Sequence, residues 1–385
     1  MKKNWQEVQI FHKGDEFFAE MVSGIRTARK SVCLESYIFE LDPITDAFLV
    51  ELQLAVWRGC TVKLLVDGVG SFFSAELLKK RCARDGVQFR IYHPIPGILQ
   101  WLPHVAMVLF SRAPSLITRI NRRNHRKTLI IDDTLAFVGS FNITQLHSER
   151  AMGAKCWRDS GVKLKGDALA SLSAAFDLAW NFSKNIPHFS LDSNWVSEKI
   201  HVIVQWQELL RLNSNNRIRR VLYRDLCRRI RNARTRVYIA NAYFLPKRAL
   251  LKALSKAAQN GVDVQIITPG PTDLPFVKWA AYQIPYKLSL FGVKVFEYQP
   301  RIFHAKYMVI DNWSSLGSFN LNHRSLLHDL EVEVVLTDAE SLGNLNRQFT
   351  NDLSSSKPFD LREYKKSPQW WQWLTKTLFK LRYWF

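Results

Sequence analysis

Two short stretches of the chain carry the same seven residue types in the same order. The first is His125-Arg126-Lys127, four residues, Asp132, six residues, then Gly139-Ser140-Phe141-Asn142. The second is His304-Ala305-Lys306, four residues, Asp311, five residues, then Gly317-Ser318-Phe319-Asn320. A lone His-x-Lys carries no information, but two copies of the whole set do. Lysine, asparagine and serine gathered from both copies make a pocket of hydrogen-bond donors with net positive charge, which suits a phosphodiester anion. Two histidines can divide its chemistry. One, neutral, attacks phosphorus and forms a phosphohistidine. The other, protonated, hands its proton to the leaving alkoxide, and the two later exchange duties as one coupled titrating pair. The lysines supply the charge that Mg²⁺ or Zn²⁺ would bring, so no metal or cofactor is expected. No HExxH, DxDxDG or clustered Cys/His pattern is present either.

The residues between these positions must place them. TLIID and LAFVG read as two strands about a turn at Asp133-Thr134. That centre sets His125 opposite Asn142 and Lys127 opposite Ser140. In the second copy it sets His304 opposite Asn320 and Lys306 opposite Ser318, with a three-residue turn at Asp311-Asn312-Trp313. Alternate residues of a strand share a face, so all four side chains of each hairpin would point together. Asp132 lies about 23 Å beyond His125 along an extended strand, and Asp311 has the same offset from His304; both read as turn residues. A working imidazole needs a partner to fix its tautomer. Asp159 and Glu331, each opening the next β-patterned run of its half, are the candidates.

The repeat extends well beyond the motif. Residues 28–94 and 233–300 each read strand, helix, Gly, strand, helix, Gly, strand. Their strands are rich in Val, Ile and Leu, and the helical stretches Ala47–Trp57 and Leu250–Ala258 close at Gly59 and Gly261. This predicts an α/β fold of two pseudo-two-fold halves, each a mostly parallel sheet flanked by helices, with the active site where the halves meet. The halves are set at residues 1–200 and 201–350, followed by a tail at 351–385.

At these residues the sequence resembles the phospholipase D superfamily, whose hallmark is the paired HxKx4D motif followed by GSxN. The stretches LESYIFELD, ANAYFLP, FEYQPRIFHAK and GSFNLNHRSLLHDLEVEV are similar to the bacterial cardiolipin synthases, closest to the type lacking N-terminal transmembrane helices. The resemblance implies transfer of a phosphatidyl group between two phosphatidylglycerol molecules. It implies catalytic roles for His125, Lys127, Asp132, His304, Lys306 and Asp311, with His125 as nucleophile. Asn142, Ser140, Asn320 and Ser318 would bind or support the substrate phosphate, and Asp159 and Glu331 would orient the imidazoles. Two departures stand out: the five-residue spacing before Gly317, and Asp329 where the family more often has Asn.

The rest of the chain points to an anionic lipid surface. Its 385 residues carry a formal charge of +20, so an anionic partner is expected. Five widely spaced cysteines argue against a disulfide framework and fit a reducing compartment. The N-terminus has no apolar signal-peptide core. The first half contains an insertion at about 95–121: Pro94 to His125 is 31 residues, against 4 from Pro300 to His304. The uncharged stretch from Ile91 to Ser111 carries three prolines and reads as interfacial rather than spanning. The tail SPQWWQWLTKTLFKLRYWF interleaves Trp with Lys, as at a bilayer interface. A third basic run, Arg217–Arg236, places Ile218, Val221, Leu222, Leu226 and Ile230 on one helix face. Together these features predict a peripheral enzyme on the cytoplasmic face of the cell membrane acting on an anionic phospholipid. A lipid hydrolase is the alternative. Nucleic acid suits the charge, but the tryptophan-rich tail argues against a nuclease.

Overall fold

The computed structural model describes residues 4–94, 122–183 and 192–360, together with 362, 368, 370, 373, 375 and 377. Two mixed sheets form its frame. The first contains β1 (Glu7–Phe11), β2 (Ser31–Ser36), β3 (Thr61–Asp67), β4 (Gln88–Tyr92), β5 (Thr128–Ile131), β6 (Leu135–Gly139) and β7 (Gly161–Lys165) in the order β1-β7-β6-β5-β2-β3-β4. The second contains β8 (Leu210–Leu212), β9 (Arg236–Asn241), β10 (Asp263–Pro269), β11 (Lys294–Tyr298), β12 (Lys306–Ile310), β13 (Trp313–Gly317), β14 (Val332–Leu336) and β15 (Ser356–Pro358) in the order β15-β11-β10-β9-β12-β13-β14-β8. Six strands, β2-β3-β4-β5-β6-β7, have counterparts in β9-β10-β11-β12-β13-β14, as the repeat requires.

The expectation of mostly parallel sheets needs correction. Parallel pairing is confined to β2-β3-β4 and β9-β10-β11, where helices supply the crossovers. The motif strands β5-β6-β7 and β12-β13-β14 pair antiparallel, because hairpin neighbours need no crossover helix. The boundaries set at 200 and 350 also fall inside helices, Ser193–Gln205 and Ala339–Ser354. The second half runs on to Pro358, since β15 pairs with β11.

Local chemistry builds the crossovers. The helix Pro43–Trp57 starts at Asp42, whose side chain accepts the N–H groups of Ile44 and Thr45, while the Thr45 hydroxyl accepts that of Asp42. Proline at the first helical position costs no hydrogen bond there. The chain leaves this helix through Gly59 at φ 88°, and leaves the helix Arg248–Gln259 through Gly261 at φ 86°.

One apolar layer joins the halves. Ile130, Val138 and Leu164 from the first sheet meet Tyr307, Val309, Leu316 and Val334 from the second, along with the helix Leu169–Phe182. The alternate residues Leu129, Ile131 and Phe137 face a separate outer core, as do Met308 and Ile310 on the other side. Both faces of each motif hairpin are therefore buried, which pins the register.

Candidate active site at the junction of the halves

Backbone pairing across the junction brings the two motifs together. The N–H of His125 donates to Leu330 O at 3.0 Å, and that of Leu330 donates to Arg123 O at 2.8 Å. The mirror arrangement links His304 N–H to Arg158 O at 2.8 Å and Arg158 N–H to Ile302 O at 2.9 Å. Leu330 and Arg158 each precede a carboxylate, so each histidine is stitched to the strand that carries the other half's acid. Nδ1 of His125 lies 3.0 Å from Glu331 Oε2, and Nδ1 of His304 lies 2.9 Å from Asp159 Oδ1. The orienting carboxylates are exchanged between halves. Nε2 is left on each ring for chemistry.

Both histidines, both lysines and both carboxylates are buried. The Lys127 ammonium donates to its own motif's His125 O at 2.8 Å, and Lys306 donates likewise to His304 O. Burial pushes Lys127 down to about 7 and Lys306 to about 8; for Lys127 the charge of Lys306 adds to the effect. Burial and the two lysines hold His125 well below the ordinary histidine value, and burial above all takes His304 to about 4. The two acids diverge. Burial raises Glu331 to about 7. It pushes the same way on Asp159, but His304 and His147 outweigh it and keep that carboxyl well below its usual range.

The remaining motif residues fall into two groups. Asn142 and Asn320 are buried beside the histidines' strands, and Asn142 Oδ1 accepts the N–H of Ile38 at 3.3 Å. Ser140 and Ser318 spend their hydroxyls on the protein, which corrects the expectation that they bind phosphate. Ser140 Oγ donates to Ser160 O at 3.1 Å, and Ser318 Oγ donates to Glu331 Oε2 at 2.5 Å. They lock the strands that carry the acids. Gly139 makes this close approach possible, since a Cβ there would meet Gly161 Cα and Ser160 O at 2.8 Å.

The hairpin register also differs from expectation by one residue. Thr128 faces Val138 and Lys127 O accepts from Gly139 N–H; Tyr307 faces Leu316. The turns are Asp132-Asp133-Thr134 and Asp311-Asn312, and Asp132, Asp133 and Asp311 take positive φ values of 52°, 57° and 49°. Asp132 and Asp311 are not catalytic groups. Asp132 accepts the N–H groups of Arg29, Lys30 and Ser31, and Asp311 those of Arg234, Thr235 and Arg236. Each ties its hairpin tip to the start of the neighbouring strand.

Several residues of the site were not singled out from the sequence. Tyr37 packs its ring 4.9 Å from His125, and Tyr243 lies 6.1 Å from His304. Arg324 adds a positive charge that acts on His125. It pairs with Asp329 at 3.0 Å, so the unusual aspartate answers an arginine. His147 touches Asp159, and Ser325 touches Glu331; each stands five residues after its motif asparagine. Extending the repeat past GSFN would have aligned them.

His147, Asp159 and His304 are the one cluster of metal-ligand type among the described residues. Both imidazole Nδ1 atoms already lie against the carboxylate, at 2.8 and 2.9 Å; the His304 contact is a hydrogen bond, whereas the His147 contact is close but not aligned as one.

The comparisons with known proteins agree with this geometry. A family model described as "Cardiolipin synthase, PLD-like domain" matches residues 21–154 and 226–353, one copy on each half. This chain belongs to that cardiolipin synthase family of phospholipase D-like enzymes. A cardiolipin synthase of Staphylococcus aureus strain Mu50 is 30% identical over 365 residues, which is 94% of this chain and 70% of that protein. Cardiolipin synthase 2 of Staphylococcus epidermidis is 30% identical over 361 residues, with the same shares. The fold also matches the crystal structure of phosphatidylserine synthase from Haemophilus influenzae, at a TM-score of 0.67 and 15% identity over 98% of this chain and 94% of that one.

Outside this site, the structure bears on the other basic and apolar features. The apolar insertion at 95–121 and most of the tryptophan tail lie outside the described residues. Of that tail, Trp370 and Trp373 are 66% and 68% exposed, while Thr375 is buried and accepts a hydrogen bond from Gln283 at 3.5 Å. The basic run forms the helix Asn216–Asn232, but its buried face omits Val221, which is 51% exposed, and includes Arg219. Asp225 also gathers Arg211, Arg228 and Arg229, so part of that charge is neutralised within the protein.

Proposed function

We propose that this enzyme transfers a phosphatidyl group from one phosphatidylglycerol to a second, giving cardiolipin and glycerol through a phosphohistidine on His125. Neutral His125 Nε2 attacks phosphorus while His304, which the negative charge of the bound phosphodiester must bring up from its value of about 4 to hold a proton, gives that proton to the departing glycerol oxygen. His304 then takes the proton of an incoming phosphatidylglycerol hydroxyl as that oxygen attacks phosphorus and breaks the P–N bond. Lys127 and Lys306 carry positive charge beside the phosphoryl oxygens throughout. The observation that carries this reading is the exchange of carboxylates. Each imidazole is held through Nδ1 by the opposite half, which leaves two Nε2 atoms for one phosphorus.

The lipid substrate draws support from the curated relatives and from the surface beside the site. The helices Pro275–Ala281 and Gln283–Ser289 and their flanks expose Leu274, Phe276, Trp279, Leu290 and Phe291. Tyr243, close to Lys306 and His304, donates to Asp273 at 2.6 Å at the foot of this pair. We place the enzyme on the cytoplasmic leaflet, a reducing environment compatible with its five free cysteines.

The test is purified protein with labelled phosphatidylglycerol vesicles and EDTA, with products resolved by mass. Cardiolipin and glycerol in equal amounts are expected, and turnover is expected to fall at least about 10³-fold in His125→Ala and His304→Ala. Phosphatidic acid alone would make the enzyme a hydrolase. Plasmid cleavage without lipid turnover would make it a nuclease.

A further inference from the structure

The two-histidine mechanism leaves the buried imidazole of His147, in contact with the site's carboxylate, without a task. His147 is completely buried, with its ring 5.7 Å from Phe141, 5.5 Å from Trp157 and 5.9 Å from His304. Its Nε2 accepts the backbone N–H of the motif residue Asn142 at 3.3 Å. The ring proton therefore resides on Nδ1, which lies 2.8 Å from Asp159 Oδ2 as a close electrostatic contact without the alignment of a hydrogen bond. The other oxygen of that carboxylate faces Nδ1 of His304 at 2.9 Å. Asp159 thus sits between two imidazoles, one on each oxygen. The chain Asn142, His147, Asp159, His304 runs from the donor residue of one half to the working base of the other.

The second half fills the equivalent place differently. Ser325 stands at the same offset from Asn320, and its hydroxyl donates to Glu331 Oε1 at 2.5 Å, while Oε2 of that glutamate serves His125. A hydroxyl supports one acid and an imidazole supports the other. The pseudo-two-fold symmetry is broken at this point of contact with the catalytic carboxylates.

We infer that His147 is a positioning residue for phosphoryl transfer: it fixes the Asp159 carboxylate against His304 and makes the His304 side of the reaction chemically distinct from the His125 side. Beyond His147 itself, Asp159 stays ionised whereas Glu331 takes a proton near neutrality, which suits His304 to carry the proton that His125 does not. The other titratable groups near the His147 ring are His304, with Lys306 acting through it, and Cys156, whose Sγ lies 3.9 Å from the His147 carbonyl. Asp15, from the helix Gly14–Thr27, engages the next residue, Ser148, at 2.6 Å.

The inference rests on the shared two-histidine centre but not on the identity of the lipid. Its test therefore uses bis(p-nitrophenyl) phosphate, a soluble phosphodiester, with the full chain. His147→Ala is expected to lower kcat about 10- to 100-fold with KM within about twofold. Loss of the donor raises the proton affinity of the Asp159–His304 pair. One limb of the pH–rate profile should then move up by at least about half a unit while the other stays. His147→Asn, whose amide nitrogen reaches the place of Nδ1, is expected to restore both the rate and the limb. If the alanine variant unfolds, His147→Phe fills the space without offering a donor and serves instead. Unchanged kcat and limbs in a folded alanine or phenylalanine variant would overturn the assignment. So would a rate loss with unmoved limbs that asparagine fails to rescue, since packing alone would then explain it.

Discussion

At the scale of single residues, the site is built at the expense of stability. Lys127 and Lys306 are both buried, and their pKa values of about 7 and about 8 say that the fold disfavours their charges. Between those values and the ordinary lysine value near 10.5, the unfolded chain binds more protons than the folded one. The lysines' contribution to stability therefore rises with pH across that window. Above about pH 9 the trend reverses, because burial raises the Cys33 and Cys82 thiols to about 12, and above pH 10 the Tyr37 and Tyr92 hydroxyls, also raised to about 12, add to it; the folded state then holds the extra protons. The melting temperature should climb from pH 7 to about pH 9 and then fall, and Lys306→Met should flatten the climb. An oxyanion such as tungstate, which compensates both ammonium groups, should raise the melting temperature more at pH 7 than at pH 10. A melting temperature that falls steadily from pH 7 upwards would show that the lysines are not strained by burial. The strain has a use, since the same uncompensated charge is what a phosphodiester anion neutralises on binding.

At the scale of elements, the motif is a hairpin whose tip and base do different work. Asp132 and Asp311 sit at the tips in left-handed conformations and collect three backbone N–H groups each. Asp132→Ala should cost about 1–3 kcal/mol in chemical denaturation while changing kcat of the folded enzyme by less than about threefold. A loss of several orders of magnitude in kcat with unchanged stability would return the aspartates to the chemistry. Much of this hairpin was legible in the sequence: two apolar strands, a turn, and a histidine and lysine two residues apart. The register was not, because left-handed aspartates move the turn by one residue and no periodicity reports φ. The pairing of Asp159 with His304 and Glu331 with His125 was equally hidden. It depends on β-bridges at Arg158–Phe303 and Asn124–Leu330, contacts between residues far apart in the chain that local pattern cannot rank. His147 escaped because its counterpart, Ser325, is a different residue type, so the repeat hid the shared position.

At the scale of the whole molecule, the two halves place their combined site at one junction, and an apolar rim lies beside it. The exposed side chains of Leu274, Phe276 and Trp279 adjoin Asp273, which is tied through Tyr243 to the neighbourhood of Lys306. Trp370 and Trp373 of the tail are exposed as well, and Thr375 anchors that tail to Gln283 on the same helix pair. No described helix is long and apolar enough to cross a membrane; under the proposed function, these surfaces and the +20 charge would make the contact with anionic lipid. Inserting one large side chain into the interface contributes about 1.5–3 kcal/mol, which makes the patch a sizeable share of any binding energy. The double variant Phe276→Ser/Trp279→Ser should therefore bind phosphatidylglycerol vesicles at least about tenfold more weakly in flotation, yet hydrolyse a soluble phosphodiester at the parent rate. Raising the salt should weaken both proteins, because the attraction of a basic surface to anionic lipid is screened within a Debye length of about 8 Å at physiological ionic strength. Unaltered flotation of the variant would mean that these helices face water, and the apolar rim would then have no part in bringing phosphate head groups to the paired histidines.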